Sequence, residues 1–173
     1  ILDGELDVVV NSCNCFCIPN SESTKELNVI FSLDKFRSEK NLYRNKYGKT
    51  NVTNNLGDYN KMGHFEYETF ELLDLTYYTK KEIKVANVYV QFNPNSKEKK
   101  ELDFSVLELI IKKLDLTFPF KNVGFCYENF NLEKEQFDFF KETVISNSKF
   151  MKPKFYETTL ITNKRENFKI KKT

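Results

Sequence analysis

The sequence predicts a three-layer α/β/α fold, in which a mixed, mostly parallel sheet lies between helices. Segments rich in β-branched residues alternate along the chain with segments that carry a helical apolar stripe. The apolar run at 8–10 is typical of a central strand that is buried on both faces. An alternating segment at 65–72, followed by 76–79, indicates an early antiparallel excursion. We expect a single domain at 1–163 and a basic tail at 164–173.

The individual elements follow from local patterns. The first strand covers 6–11, and Ser21 or Ser23 is suited to cap a helix that begins near Thr24. Further strands are predicted at 65–72, 83–92, 122–126 and 155–161, and further helices at 103–116 and 133–145. The helix at 103–116 has the clearest apolar stripe, formed by Val106, Leu107, Ile110, Ile111 and Leu114. We expect 37–61 to be a long irregular excursion and the basic tail to be frayed.

Composition limits the classes of function. The 173 residues carry a net charge of +2, so nothing in the charge balance demands a nucleic-acid or membrane partner. No apolar run approaches the roughly 18 residues that a membrane-spanning helix needs. Glycine-rich nucleotide-binding motifs are absent, and a single histidine excludes a two-histidine metal site.

The four cysteines are Cys13, Cys15, Cys17 and Cys126. Three of them are bunched, unlike the disulfide framework of a secreted protein, so we expect a reducing, cytoplasmic location, or a host cytoplasm if the protein is viral. Inert buried thiols are one interpretation. The alternative is a zinc site made of three or four thiolates, although structural zinc sites usually space their cysteine pairs by two to four residues.

Two asparagines mark a candidate ligand site. Asn11 and Asn14 follow directly on the apolar run of the first strand. Open α/β sheets bind ligands at the carboxyl ends of their strands, so this position predicts a binding site. The alternative for Asn14 is that it caps the turn after the strand, and the alternative for Asn11 is that it holds the loop through backbone hydrogen bonds.

The same segment resembles a known family. The sequence Val-Asn-Ser-Cys-Asn at 10–14 is similar to the V-N-x-x-N strand end of macro domains, especially the short bacteriophage and fungal type. Weaker similarity continues at 55–60, 88–92 and 123–126. The resemblance implies a fold over about 1–160 that binds ADP-ribose or its derivatives, and a chain that starts a few residues inside a longer product.

Both phosphate-binding loops depart from the family pattern. The stretch at 16–24 contains no glycine, and Pro19 removes a potential backbone donor. Glycine is the residue that lets backbone approach a phosphate closely at positive φ. The second loop, at 127–132, also lacks glycine and places Glu128 where a diphosphate would lie. The resemblance therefore implies a degenerate member.

The resemblance implies a set of candidate ligand-binding residues. Phe92 and Tyr127 would stack on a ribose or base, with core packing as the alternative for both. Glu128 would act as a base on a bound water, with repulsion of diphosphate as the alternative. His64 is expected on the surface, and Glu66, Glu68 and Glu71 on a solvated face of the sheet. The full candidate set is Asn11, Asn14, Cys17, Ile18, Gln91, Phe92, Gly124, Cys126, Tyr127 and Glu128.

Two functional hypotheses remain open. The first is a non-catalytic binding or assembly module whose pocket derives from an ADP-ribose site, with ADP-ribose, a related nucleotide or a protein as partner. The second is an ADP-ribose 1-phosphate phosphatase or ADP-ribosyl hydrolase with atypical loops. Neither requires a metal or a cofactor. The loss of glycine from both loops favours the first, and an unrelated α/β fold is a further alternative.

Overall fold

A six-stranded mixed sheet lies at the centre of the structure, a computed structural model that describes residues 5–15, 21–31, 59–92, 102–158 and 168–172. The strands are β1 (Val8–Asn14), β2 (Phe65–Asp74), β3 (Thr79–Gln91), β4 (Asn122–Cys126), β5 (Lys152–Tyr156) and β6 (Phe168–Lys172). The helices are α1 (Glu22–Phe31), α2 (Phe104–Thr117) and α3 (Lys134–Ser146), and a short 3₁₀ turn covers Tyr59–Lys61. The sheet order is β5-β4-β1-β3-β2-β6.

The central strands of the sheet are parallel. β1 pairs in parallel with both β3 and β4, and β4 pairs in parallel with β5. β2 is antiparallel to β3 and to β6. The predicted mixed, mostly parallel sheet is therefore confirmed. Because β1, β3 and β4 run in the same direction, their carboxyl ends meet at one edge, and the β1–β3 register places Asn11 opposite Asn87.

Helices cover both faces of this sheet. On one face, Leu27 and Phe31 of α1 pack against Val9, Phe70 and Val85. On the other face, α2 and α3 cover a larger cluster that includes Val8, Val88, Val123 and Phe125. The buried α2 residues Leu107, Ile110, Ile111 and Leu114 belong to that cluster, as the predicted stripe requires. Full burial of each such side chain stabilises the fold by about 1.5–3 kcal/mol.

The helix ends agree with the capping signals. Ser21 Oγ accepts a hydrogen bond from the Thr24 N–H at 3.0 Å, so Ser21 caps α1, which begins at Glu22. Asp103 caps α2 by accepting from the N–H groups of Ser105 and Val106. In the described part of the chain, no helix has the length and apolar character needed to cross a membrane.

Three local predictions are wrong. The tail at 164–173 is not frayed throughout, because Phe168–Lys172 form β6 and pair with β2. Glu68 is not on a solvated face, since it lies on the same side of β2 as Phe70 and is only 8% exposed. The last predicted strand, at 155–161, is displaced, because β5 covers Lys152–Tyr156 and ends before Glu157. Of the long irregular segment predicted at 37–61, only residues 59–61 are among the described residues.

Candidate functional site

Three buried asparagines meet at the carboxyl edge of the sheet. Asn11 Nδ2 donates to Asn87 Oδ1 at 2.9 Å, across the β1–β3 pair. Asn129, in the loop after β4, donates from its Nδ2 to Asn11 Oδ1, also at 2.9 Å. Each of the three side chains is at most 1% exposed. A chain of amide hydrogen bonds therefore runs from β3 through β1 to the β4–α3 loop.

Asn129 also fixes the first turn of α1. Its Nδ2 lies 3.2 Å from Ser23 Oγ and 3.4 Å from Thr24 Oγ1, and both of these hydroxyls are buried. Its Oδ1 accepts the backbone N–H of Ser12 at 2.6 Å. The term asparagine network is used below for Asn11, Asn87 and Asn129 with these partners.

The geometry of the asparagine network indicates a structural role. Unpaired polar groups are costly in a buried environment, whereas amides that bond one another are satisfied and rigid. Here the Asn129 amide uses both its donor and its acceptor on protein groups. A ligand that reached Asn11 or Asn129 would first have to break these contacts. The network closes the α1 side of this edge and holds the β4–α3 loop against the sheet.

An open pocket lies on the opposite face of the same edge, under the first turn of α3. Its volume is about 270 Å³, just under the roughly 300–1,000 Å³ of typical small-molecule sites. It is called the carboxyl-edge pocket below. Its lining combines polar and apolar side chains: Ser12, Val90, Gln91, Leu102, Phe130, Asn131, Leu132, Glu133 and Gln136.

Of the predicted candidates on β1 and β3, only Gln91 lines this pocket. Asn11 belongs to the asparagine network through its side chain rather than through backbone hydrogen bonds of the loop. Asn14 is fully buried at the end of β1, where a register shift pairs it with Gln91. Phe92 packs edge-on against Tyr59, with ring centroids 5.3 Å apart.

The candidates on and after β4 contact other protein groups. A Cβ on Gly124 would come within 2.4 Å of Leu6 Cδ1, so close packing explains a glycine at this position. Tyr127 is buried and stacks on Phe137 at 4.2 Å, which is the core-packing alternative. Burial raises the pKa of the Tyr127 phenol, and the carboxylates of Asp138 and Glu157 raise it further. Glu128 is half-buried beside the start of this loop.

Cys17 and Ile18 lie outside the described residues. Cys13 and Cys15 are buried thiols, and Cys126 is a partly buried one, with its Sγ 3.8 Å from the Glu157 carbonyl oxygen. Within the described ranges, no group of three or more His, Cys, Asp or Glu side chains is arranged to hold a metal ion. His64 is exposed, as expected.

Sequence reasoning missed Asn87 and Asn129 as site residues. Asn87 does carry a signal, because it interrupts the apolar run Val85–Val90 at the middle of a central strand. Asn129 carries none, because its partners lie more than 100 residues away along the chain. Asn131, Glu133 and Gln136 were also missed, since they line a pocket only after α3 packs on the sheet.

Comparison with protein-family models gives no match to this sequence, and comparison with curated proteins gives no significant match.

Proposed function

We propose that this chain is a non-catalytic binding or assembly module whose pocket derives from an ADP-ribose site. The observation that carries the proposal is the asparagine network. The polar side chains expected to contact a ligand at the carboxyl edge, Asn11 above all, are buried and hydrogen-bonded to one another. Catalysis at this edge would need such groups to contact the reacting atoms.

The loop after β4 supports the same proposal. A diphosphate is held by backbone N–H groups that point into open space. In this loop, the Glu128 N–H donates to the Glu157 carbonyl and the Tyr127 N–H to the Tyr156 carbonyl. These donors are already used within the protein, and the Glu128 carboxylate adds a charge that repels phosphate.

The resemblance to macro domains supplies the proposed origin of the pocket, through the Val-Asn-Ser-Cys-Asn sequence at 10–14. The proposed partners are a protein or a nucleotide related to ADP-ribose. The proposed setting is a reducing cytoplasm, including that of a host cell if the protein is viral, because the closely spaced Cys13, Cys15 and Cys17 do not resemble the disulfide framework of a secreted protein.

The test is calorimetric titration of the purified protein with ADP-ribose, followed by assays for phosphatase and ADP-ribosyl hydrolase turnover. The proposal predicts no turnover in either assay, whether or not ADP-ribose binds. Micromolar binding that is lost in Asn14→Ala, together with turnover, would overturn it in favour of the enzyme.

A second variant keeps this test independent of folding, because Asn14 is fully buried and its replacement can unfold the protein. Glu128→Gln changes a half-buried carboxylate in the β4–α3 loop. Turnover that falls in Glu128→Gln at unchanged thermal stability would identify Glu128 as a catalytic base. The proposal predicts that wild type and this variant are equally inactive.

A further inference from the structure

Among the described residues that line the carboxyl-edge pocket, one side chain is charged, and it is acidic. Glu133 stands at the amino end of α3, and none of the described side chains that line the pocket is basic. The remaining polar lining consists of the amides of Gln91, Asn131 and Gln136 and the hydroxyl of Ser12. The amides and the hydroxyl both donate and accept hydrogen bonds, whereas the Glu133 carboxylate only accepts them, so its charge favours a ligand that carries N–H donors and a positive charge.

The wall that carries Glu133 is held in place by local hydrogen bonds. Gln136 Oε1 accepts the Glu133 N–H at 3.0 Å. The Leu132 N–H donates to the Tyr127 carbonyl, and the Asn131 N–H donates to the Glu128 carbonyl at 3.0 Å. Asn131 itself has a left-handed backbone with φ of 55°, a conformation that asparagine tolerates better than most residues. These bonds hold the backbone at Glu133 in place, while its side chain is exposed at the rim of the pocket.

The rest of the lining is aliphatic or aromatic. Val90, Leu102, Leu132 and Phe130 contribute apolar surface. The volume of about 270 Å³ equals that of about nine water molecules in the liquid. A short aliphatic stem with a polar head fits such a mixture, because the stem buries its methylenes while the head hydrogen-bonds.

An anion is the competing ligand, since α3 directs the positive end of its dipole towards this wall. The Glu133 carboxylate occupies that end of the helix, and its charge opposes a phosphate. The side chain of Gln136 already uses the Glu133 N–H. At the amino end of α3, the Glu133 charge therefore favours binding of a cation over binding of an anion.

We propose that the carboxyl-edge pocket binds a guanidinium group on an aliphatic stem, with Glu133 as its counter-charge. A guanidinium has five N–H donors, which the Glu133 carboxylate and the amide oxygens of Gln91 and Asn131 can accept. The inference rests on the proposed binding role and names the chemistry of its partner. The two sources of this chemistry are an arginine side chain of a protein and a free small molecule.

The experiment titrates isotope-labelled protein with three probes and follows backbone amide shifts by NMR. The probes are agmatine, acetyl-Gly-Arg-Gly-amide and its neutral citrulline counterpart. We expect millimolar binding of both guanidinium probes, with shifts centred on residues 130–136, and about threefold to fivefold weaker binding of the citrulline peptide, as for a partly exposed ion pair. Tighter binding of the arginine peptide than of agmatine assigns the site to a protein partner, whereas equal affinities assign it to the guanidinium alone.

Two variants separate a specific contact from a general charge effect. Glu133→Gln removes the charge in the pocket and keeps the side-chain length. Glu135→Gln removes an exposed charge in the same helix turn that does not line the pocket. Binding should weaken about threefold to fivefold in Glu133→Gln and stay unchanged in Glu135→Gln.

Equal binding of the arginine and citrulline peptides, or equal affinities of the two variants, would overturn the inference. Phosphate binding that strengthens in Glu133→Gln would also overturn it and would assign the pocket to anions. These outcomes are distinct from the failure of the proposed function, which is decided by ADP-ribose binding and turnover.

Discussion

Asn129 connects three parts of the chain that are far apart in sequence: β1, the first turn of α1 and the loop after β4. Its Oδ1 accepts the Ser12 N–H, and its Nδ2 donates to Asn11 Oδ1. Both partners are buried, so water does not readily replace Asn129 if it is removed. A buried donor or acceptor that loses its partner costs about 1–3 kcal/mol.

Asn129→Ala should therefore lower the free energy of unfolding by about 2–4 kcal/mol, because it leaves two buried groups unpaired. Urea denaturation at neutral pH measures this loss. Asn147→Ala is the matched control, since Asn147 donates to the Thr143 carbonyl and to Ser146 Oγ at a partly exposed helix end. The control should lose no more than about 1.5 kcal/mol. Equal losses in the two variants would mean that Asn129 stabilises the fold no more than a partly exposed asparagine does.

Asp115 provides a residue-scale prediction for pH. Its buried Oδ1 accepts the N–H groups of Phe150 and Met151 at 2.8 and 2.9 Å, which ties α2 to the segment before β5. Burial by itself raises the pKa of this carboxyl, but the hydrogen bonds from Met151 and Phe150 outweigh burial and hold the pKa below its ordinary value. A lowered folded-state pKa stabilises the fold above the unfolded value of about 3.9.

Asp115→Asn should lose about 1–2 kcal/mol at pH 7, because a charged acceptor becomes a neutral one. The gap between wild type and variant should close as the pH falls below about 3.9 and through the folded pKa. Urea denaturation at neutral and acidic pH measures the gap, with Asp138→Asn as an exposed-carboxylate control. A gap that stays constant down to acidic pH would show that the Asp115 charge does not stabilise the fold.

At the scale of elements, β6 protects an edge of the sheet. It pairs with β2 over Phe70 to Asp74, and Ile170 packs on the cluster formed by α1 and the sheet. Without β6, the backbone groups of β2 would form an open edge that is prone to pair with other chains. The last strand therefore contributes both packing and protection from association.

Ile170→Ala should cost about 1–2 kcal/mol, less than the roughly 2–5 kcal/mol of a fully buried isoleucine, because Ile170 is only half-buried. Lys169→Ala, one residue earlier and exposed, should stay within about 0.5 kcal/mol of wild type. Thermal unfolding of both variants checks this. A larger loss in Lys169→Ala than in Ile170→Ala would contradict the packing of β6 on this cluster.

Sequence patterns located most elements because their signals are local. The strand at 122–126 agrees with β4, and the predicted helices at 103–116 and 133–145 differ from α2 and α3 by one residue at each end. Runs of β-branched residues and capping side chains act within a few residues of the chain. β6 was missed because its lysines suggested a solvated tail, although Lys169, Ile170 and Lys171 alternate as in a half-exposed strand.

The candidate site was harder to predict because its contacts are long-range. Buried polar side chains do gather at the carboxyl end of β1, with Asn11 at their centre, but the ligand site predicted there stays a prediction. The partners of Asn11 are 76 and 118 residues away, so no local pattern could show that they would satisfy it. Sequence reasoning located a polar edge but could not distinguish an open site from a closed one.

At the scale of the whole molecule, the two faces of the sheet have different roles at the carboxyl edge. On the α1 face, the asparagine network joins three elements and leaves its amides bonded to protein. On the face covered by α2 and α3, an open pocket remains, and Glu133 is the one charged side chain among the described residues that line it. The proposed binding role belongs to the second face.

Whether the asparagine network is closed is tested by hydrogen exchange at the side-chain amides of Asn11, Asn87 and Asn129, measured by NMR with and without millimolar ADP-ribose. We expect slow exchange in the free protein, because these amides are buried and bonded to one another, and no shift of their signals on addition of ADP-ribose. Rapid exchange, together with ADP-ribose-induced shifts at Asn11 and Asn129, would contradict this expectation and would show that this edge is an open ligand site.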